Sequence, residues 1–273
     1  MGFNHQFSLQ GKKIAFSGAT GVLGTTMALH LAAEGAEVLI LGRTPEKVQE
    51  LVAEINGAGG KAFGYIADVT EEDSLQKVAG LIETQHGSID VLINSAGGNM
   101  PGAVIRPEQN FLDLDTSALR KVMDLNYLGT VLPIKALLPL MLKQGKGNIL
   151  NISSMAATRP MTRVMGYASA KAAIDNLTKW LSVELAQKHG PEFRVNAIAP
   201  GFFLTEQNRT LLTEADGKLT QRGNQILTHT PMNRFGKPED LLGALQWLCS
   251  DASAFVTGTI VAVDGGFSAY SGV

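Results

Sequence analysis

Cysteine is nearly absent: Cys249 is the only one in 273 residues, so no disulfide can close within the chain. A reducing compartment, the cytoplasm, fits that usage. The residue lies in LLGALQWLCS, an apolar helical pattern, and reads as a small buried hydrophobe. Charge of one sign is scarce as well, since 23 basic and 25 acidic side chains leave a formal charge of −2. With no basic run, nothing electrostatic points to nucleic acid or an acidic membrane as a partner. The first residues, MGFNHQFSLQGKK, lack the apolar stretch of a secretory signal. The longest greasy stretch, 127–142, is interrupted by Lys135 and too short to span a bilayer. His5, His30, His86 and His189 are scattered, and no Cys/His cluster predicts a metal. Repeats, low-complexity tracts and linkers are also missing, so one domain is expected. At 45% apolar and 18% charged residues, the chain can bury a sizeable core.

What is present is alternation. Short apolar runs (KKIAFSG, AEVLILG, KAFGYIA, IDVLINS, GNILNIS, FRVNAIA, GTIVAVDG) are separated by helix-periodic segments at 22–34, 45–58, 71–86, 115–144, 164–189 and 238–250. Strands apolar on consecutive positions suit a parallel sheet covered on both faces. The pattern predicts an α/β fold: a doubly wound, Rossmann-type parallel sheet of about seven strands. Pro133 and Pro139 are placed to kink the 115–144 helix. Two irregular stretches, 98–114 and 202–237, follow strands, where such insertions overhang the ligand site. The second is expected to contain short helices and to act as a substrate lid.

Between the first strand and first helix runs Ser17-Gly18-Ala19-Thr20-Gly21-Val22-Leu23-Gly24. Glycines there admit close backbone approach, and the helix N-terminus offers unpaired N–H groups to a phosphate. The second strand ends Leu41-Gly42-Arg43, where an acidic residue would bind the ribose hydroxyls of NAD. An arginine there can accept a 2′-phosphate, which inclines the reading toward NADP over NAD; a solvated loop charge is the alternative. Asp68 and Val69 end the third strand, and Asn94, Ala96 and Gly97 the fourth, as adenine- and ribose-contacting residues should. Asp68 could equally cap the next helix, and Asn94 could tie neighbouring strands together.

Tyr167 and Lys171 are four residues apart, and Ser154 lies thirteen residues before the tyrosine. A phenol titrates near 10 and serves as acid or base at neutral pH only if something lowers that value. A lysine at i+4 shares its helix face and can do so. A nearby serine could hydrogen-bond a substrate oxygen.

With these elements in order, the chain resembles the short-chain dehydrogenase/reductase family over essentially its full length. SGATGVLG, ADV, NSAG, DLNYLGT, NISS, YASAK, NAIAPGFFLT and VDGG carry the resemblance. It implies that Ser154 orients a carbonyl, that Tyr167 exchanges the proton, and that Lys171 lowers the tyrosine pKa and holds the ribose. Asn126 would support a water relaying protons from Lys171, and Ser153 would be a structural neighbour. Pro200, Gly201 and Thr205 resemble the nicotinamide-side loop. Ser17 stands where the family usually has threonine, and Val22 where it usually has glycine.

Loop details (GVLG, Gly97-Gly98-Asn99, PGFFLTEQNR, HTPMNRFGKPEDLLGALQWL and the ending VDGGFSAYSGV) are similar to the sugar-acid branch, D-mannonate oxidoreductase (fructuronate reductase) and gluconate 5-dehydrogenase. That implies a sugar-acid substrate. Arg163, Arg209 and His229, with Arg159 and Arg222, are candidates for its carboxylate, and Asn99 and Gln207 for its hydroxyls. A 3-oxoacyl-thioester or other ketone reductase is the competing enzyme. A nucleotide-binding protein without chemistry would normally have lost the serine, tyrosine or lysine. A homotetramer is the family expectation.

Overall fold

The computed structural model describes residues 5–205, 209, 212–214 and 216–272. Seven parallel strands form its sheet: β1 (Lys13–Ser17), β2 (Glu37–Gly42), β3 (Lys61–Ile66), β4 (Val91–Asn94), β5 (Gly147–Ile152), β6 (Phe193–Pro200) and β7 (Ile260–Val263). Their order, β3-β2-β1-β4-β5-β6-β7, reverses between β1 and β4. At such a reversal the connections leave in opposite directions and open a crevice at the carboxyl ends of the strands.

The helices are α1 (Val22–Ala33), α2 (Pro45–Gly57), α3 (Glu72–His86), α4 (Thr116–Met123), α5 (Gly129–Gln144), α6 (Met165–His189), α7 (Gln221–Thr228) and α8 (Leu242–Cys249). Period-2 alternation sends strand side chains to two cores. Ile14, Phe16, Val38 and Ile40 join α1, α2 and α8 through Met27, Leu31, Ile55 and Leu248. Ala15, Leu39 and Leu41, from the same strands, face α3, α5 and α6 through Ile82, Leu137, Met141 and Leu185. Cys249, 1% exposed, sits in the first core as a small hydrophobe, and burial pushes its thiol up to about 12.

The helix expected over 115–144 is not uniform. Asp115 caps α4, accepting from the backbone N–H groups of Ser117 and Ala118. After Met123 the chain widens into one π turn, Asp124–Leu128, before α5 begins. The turn is held by a side chain: Asn126 Nδ2 donates to the Val122 carbonyl at 2.8 Å. In an unbroken α-helix that carbonyl would take the Asn126 backbone N–H instead. The prolines lie downstream inside α5 and do not cause the irregularity. Thr116–Gln144 as a whole is long and apolar enough, by length and composition, to cross a membrane, which the stretch 127–142 alone is not. Here its Ile134, Leu137, Leu140 and Met141 fill the second core, and Lys135 pairs with Glu72 of α3 at 2.9 Å.

The segment expected at 238–250 opens as a 3₁₀ turn, Pro238–Leu241, before α8. In the stretch 202–237, α7 is a short helix, with Thr220 capping it by accepting from Gly223 N at 3.0 Å. Arg234 closes the stretch by gripping Asp240 with both guanidinium arms, at 2.6 and 3.0 Å.

Candidate active site

A cleft of about 390 Å³ opens at the carboxyl ends of β1, β4, β5 and β6, lined by Gly18, Gly21, Val22, Leu23, Gly24, Gly97, Ser154, Tyr167, Lys171, Pro200, Gly201 and Thr205 among others. A second compartment of about 270 Å³ shares Gly18, Gly21, Ser95 and Gly97 with it and extends to Thr20, Arg43, Lys47, Val69 and Ala96. The two together have the elongated, two-ended form that a dinucleotide needs.

The floor between them is backbone. Gly18 has φ +79°, and a Cβ there would lie 2.5 Å from the Ala96 nitrogen. A Cβ on Gly24 would fall 2.2 Å from the Gly18 carbonyl oxygen. Only glycine fits either place. Gly21, which caps α1, contributes no side chain to its first turn. The leading N–H groups of α1, which lack intrahelical partners, therefore suit a pyrophosphate.

The polar residues arrive from three elements. Ser154 follows β5 and caps a 3₁₀ turn, its Oγ accepting from Ala156 N at 3.2 Å. Tyr167 occupies the first turn of α6, with Lys171 one turn on. Lys171 Nζ donates to the Ile152 carbonyl at 2.7 Å and stands 5.6 Å from the Tyr167 ring centroid. Asn126, fully buried in the π turn, clamps the β4 loop: its Nδ2 donates to Gly98 O at 2.7 Å, and its Oδ1 accepts from Gly98 N at 3.1 Å. A Cβ on Gly97 would lie 2.6 Å from Asn126 Oδ1 and 3.3 Å from Lys171 Nζ, so asparagine and lysine meet at that glycine. Asn126, Ser154, Tyr167 and Lys171 are thus brought together.

Their electrostatics differ from the expectation. Burial holds Tyr167 above its ordinary value, opposed by its hydrogen bond with Ser154. Burial also brings Lys171 down to about 8, against the opposing field of Asp175. Burial therefore works against both members of the pair in the protein alone, while a charged Lys171 would favour the phenolate.

The other predicted residues divide. Asp68 stands beside the second compartment, its Oδ1 accepting from Thr70 N and Oγ1 at 2.9 and 2.7 Å and its Oδ2 facing Arg43 at 3.8 Å. Burial raises its pKa, but those bonds and Arg43 outweigh this and leave it lowered. Asn94 lies within the sheet, away from both compartment walls, and ties β4 to β5 by donating to Asn151 Oδ1 at 3.0 Å. Among the described residues, its Oδ1 has no hydrogen-bond partner.

Among the described residues, none of the substrate candidates lines the cleft. Asn99 is exposed, its Oδ1 turned to Met100 N at 2.9 Å. His229 is exposed, with Nδ1 2.8 Å from the Gln225 carbonyl and its ring 6.5 Å from that of Tyr270. Arg159 holds the Ser268 carbonyl of the C-terminal segment. Arg209 is exposed, and Gln207 lies outside the described residues. Arg163 is exposed with φ +74°; the Arg222 pKa is lowered first by burial and then by the Arg163 charge.

Lys47, Phe202 and Phe203 also line the compartments and were not singled out from the sequence. Lys47 follows Arg43 at i+4 across the start of α2, a spacing that could have flagged it. The two phenylalanines stand directly after Pro200-Gly201.

Such a cradle, with a hydroxyl, a phenol and an amine at its mouth, defines a dinucleotide-dependent oxidoreductase. The family model described as enoyl-(acyl carrier protein) reductase matches residues 18–268, and the chain belongs to the short-chain dehydrogenase/reductase family, as an NAD(P)-dependent enzyme acting on a CH–OH group. It is 47% identical to an uncharacterized oxidoreductase, UxuB, of Bacillus subtilis (strain 168), over 97% of this chain and 98% of that one. A candidate D-mannonate oxidoreductase from Haemophilus influenza, solved with bound NAD, superposes with a TM-score of 0.92 at 46% identity, covering 99% of each chain. A gluconate 5-dehydrogenase from Burkholderia cenocepacia, in complex with NADP and tartrate, gives 0.86 at 30% identity, covering 97% of this chain and 98% of that one.

Proposed function

We propose that this oxidoreductase interconverts a secondary alcohol and a ketone on a sugar acid of the D-mannonate/D-fructuronate kind. The observation that carries the reading is that Ser154, Tyr167 and Lys171 line one cleft at the mouth of the glycine cradle. When bound, the nicotinamide supplies or accepts the hydride. Ser154 orients the substrate oxygen. In reduction, Tyr167 gives its proton to that oxygen as alkoxide charge develops. A charged Lys171 then stabilises the phenolate that remains. Asn126 supports the proton path behind Lys171 by fixing the Gly98 backbone.

A carboxylate on the substrate is supported by Arg163, two residues before α6, whose charge reaches Arg222 on α7. Two guanidiniums placed together favour an anion between them. Arg43, joined by Lys47 in the second compartment, supports a 2′-phosphate and thus NADP, whereas the Haemophilus protein was solved with NAD.

A kinetic panel of hexonates and ketohexuronates, run with both cofactors in both oxidation states, tests substrate and cofactor together. Tyr167→Phe should remove most turnover, at least about a hundredfold in kcat, as loss of a general acid does, while cofactor binding by fluorescence stays near wild type. Retained turnover would sink the assignment. The second reading, a 3-oxoacyl-thioester reductase, is favoured by 34% identity, over 94% of this chain, to a 3-oxoacyl-(acyl-carrier-protein) reductase of Thermotoga maritima. Turnover of a β-ketoacyl thioester and none of fructuronate would establish it.

A further inference from the structure

We propose that Asp175 is a positioning residue that keeps the Lys171 ammonium charged behind Tyr167, from the closed side of the cleft. Tyr167, Lys171 and Asp175 follow one another at i, i+4 and i+8 and so descend one face of α6. The phenol reaches the cleft, the amine lies beneath it, and the carboxylate is deepest along the helix. Lys171 is 4% exposed, Asp175 8% and Ser153 2%.

Two bonds at adjacent residues stitch the end of β5 to that face. Lys171 Nζ donates to the Ile152 carbonyl, and the Ser153 hydroxyl donates to Asp175 Oδ1. Ser153 is itself anchored to β6, its N–H donating to Ile198 O at 2.8 Å. The carboxylate is therefore held in one place by the same strand that holds the ammonium.

A carboxylate buried to this degree is disfavoured unless something uses its charge. Burial does raise Asp175, opposed by the Ser153 hydrogen bond and by the charges of Lys179 and Lys171. In return its negative charge works against the burial that pulls Lys171 down to about 8. Lys179, at i+4 from Asp175, is exposed and shares the carboxylate's field from the solvent side. Of the groups closing the cleft side, Ser154 and Asn126 are uncharged, and Tyr167 is neutral until it ionises. Without the Asp175 charge, Lys171 would lose its proton at still lower pH, and the phenolate would have no cation beside it under neutral conditions.

The inference rests on Tyr167 and Lys171 acting as proposed above, but its test needs no substrate. Protein labelled with ¹³Cε-lysine, with Lys171→Arg to assign the resonance, gives the Lys171 titration directly. Asp175→Asn keeps the acceptor oxygen for Ser153 and removes only the charge. Its Lys171 midpoint should fall by roughly one pH unit, the effect expected of losing an opposite charge one helical turn away. Asp175→Glu should restore it, and Ser153→Ala, which keeps the charge, should move it less. An unchanged midpoint in folded Asp175→Asn would overturn the proposal. So would a wild-type midpoint well below neutrality, a measurement that stands even if the variant does not fold. In the holoenzyme the alkaline shift of the kcat–pH profile for alcohol oxidation should follow the same order of variants. If the midpoints move and that profile does not, Asp175 still sets the lysine charge and the assigned role of Lys171 is what fails.

Discussion

At the scale of single residues, the cradle is the least forgiving part of the molecule. A methyl group on Gly24 would be 2.2 Å from the Gly18 carbonyl oxygen, and backbone on both sides leaves it nowhere to go. Gly24→Ala should therefore weaken NADH or NADPH binding by about tenfold or more, roughly 1.4 kcal/mol, in a fluorescence titration. Unaltered affinity would mean that the turn is not the phosphate seat. The sequence makes this site legible because glycine spacing is a local property of one turn. Asp175 was not legible in the same way. Acidic residues at i+4 from a lysine are ordinary on helix surfaces, and only folding reveals that this one faces inward beside Ser153. Asn94 was open to two readings for a related reason: a strand-end amide can face a ligand or a neighbouring strand, and β5 supplies Asn151 to receive it.

At the scale of elements, β1, β2, β4, β5 and β6 were readable because both their faces are covered, leaving unbroken apolar runs such as VLIL in β2. The broken helix was not readable, since DLNYL contains neither glycine nor proline to mark a change of pitch. What marks it is a tertiary bond set: Asn126 serves Val122 O, Gly98 O and Gly98 N at once. Truncating it strands three backbone groups, one buried and two partly buried, each worth up to about 1–3 kcal/mol unpaired and partly recovered by water. Asn126→Ala should lower stability by roughly 2–4 kcal/mol, visible as a reduced denaturation midpoint. An unchanged midpoint would show that the π turn is held by the helices around it and not by this amide.

At the scale of the whole molecule, α6 does two jobs on two faces. Its inner face carries Lys171, Ile174, Asp175 and Leu181; its outer face leaves Trp180 58% and Val183 54% exposed, with Leu128 of the π turn also exposed. Large apolar side chains on a helix that is otherwise core suit burial against another copy of the chain. We expect a tetramer in solution, and Trp180→Glu should shift the mass measured by light scattering toward smaller species. A mass that does not change would remove this face from the assembly.

The two described ends of the chain lie on opposite rims of the sheet. Gln6 and Phe7 offer their carbonyls to Ala252 N at 2.9 Å and to Gln246 Nε2 at 3.2 Å, beside the strand starts. At the other end, Ser268 is held by Arg159, Gly265 O accepts from Met232 N at 3.0 Å, and Tyr270 approaches His229. For anyone fixing this catalyst to a bead or electrode, the geometry selects the attachment point. A tether near Gln6 leaves the working rim open to bulk solution, whereas one near Ser268 pulls directly on the segment that Arg159 and Met232 hold in place.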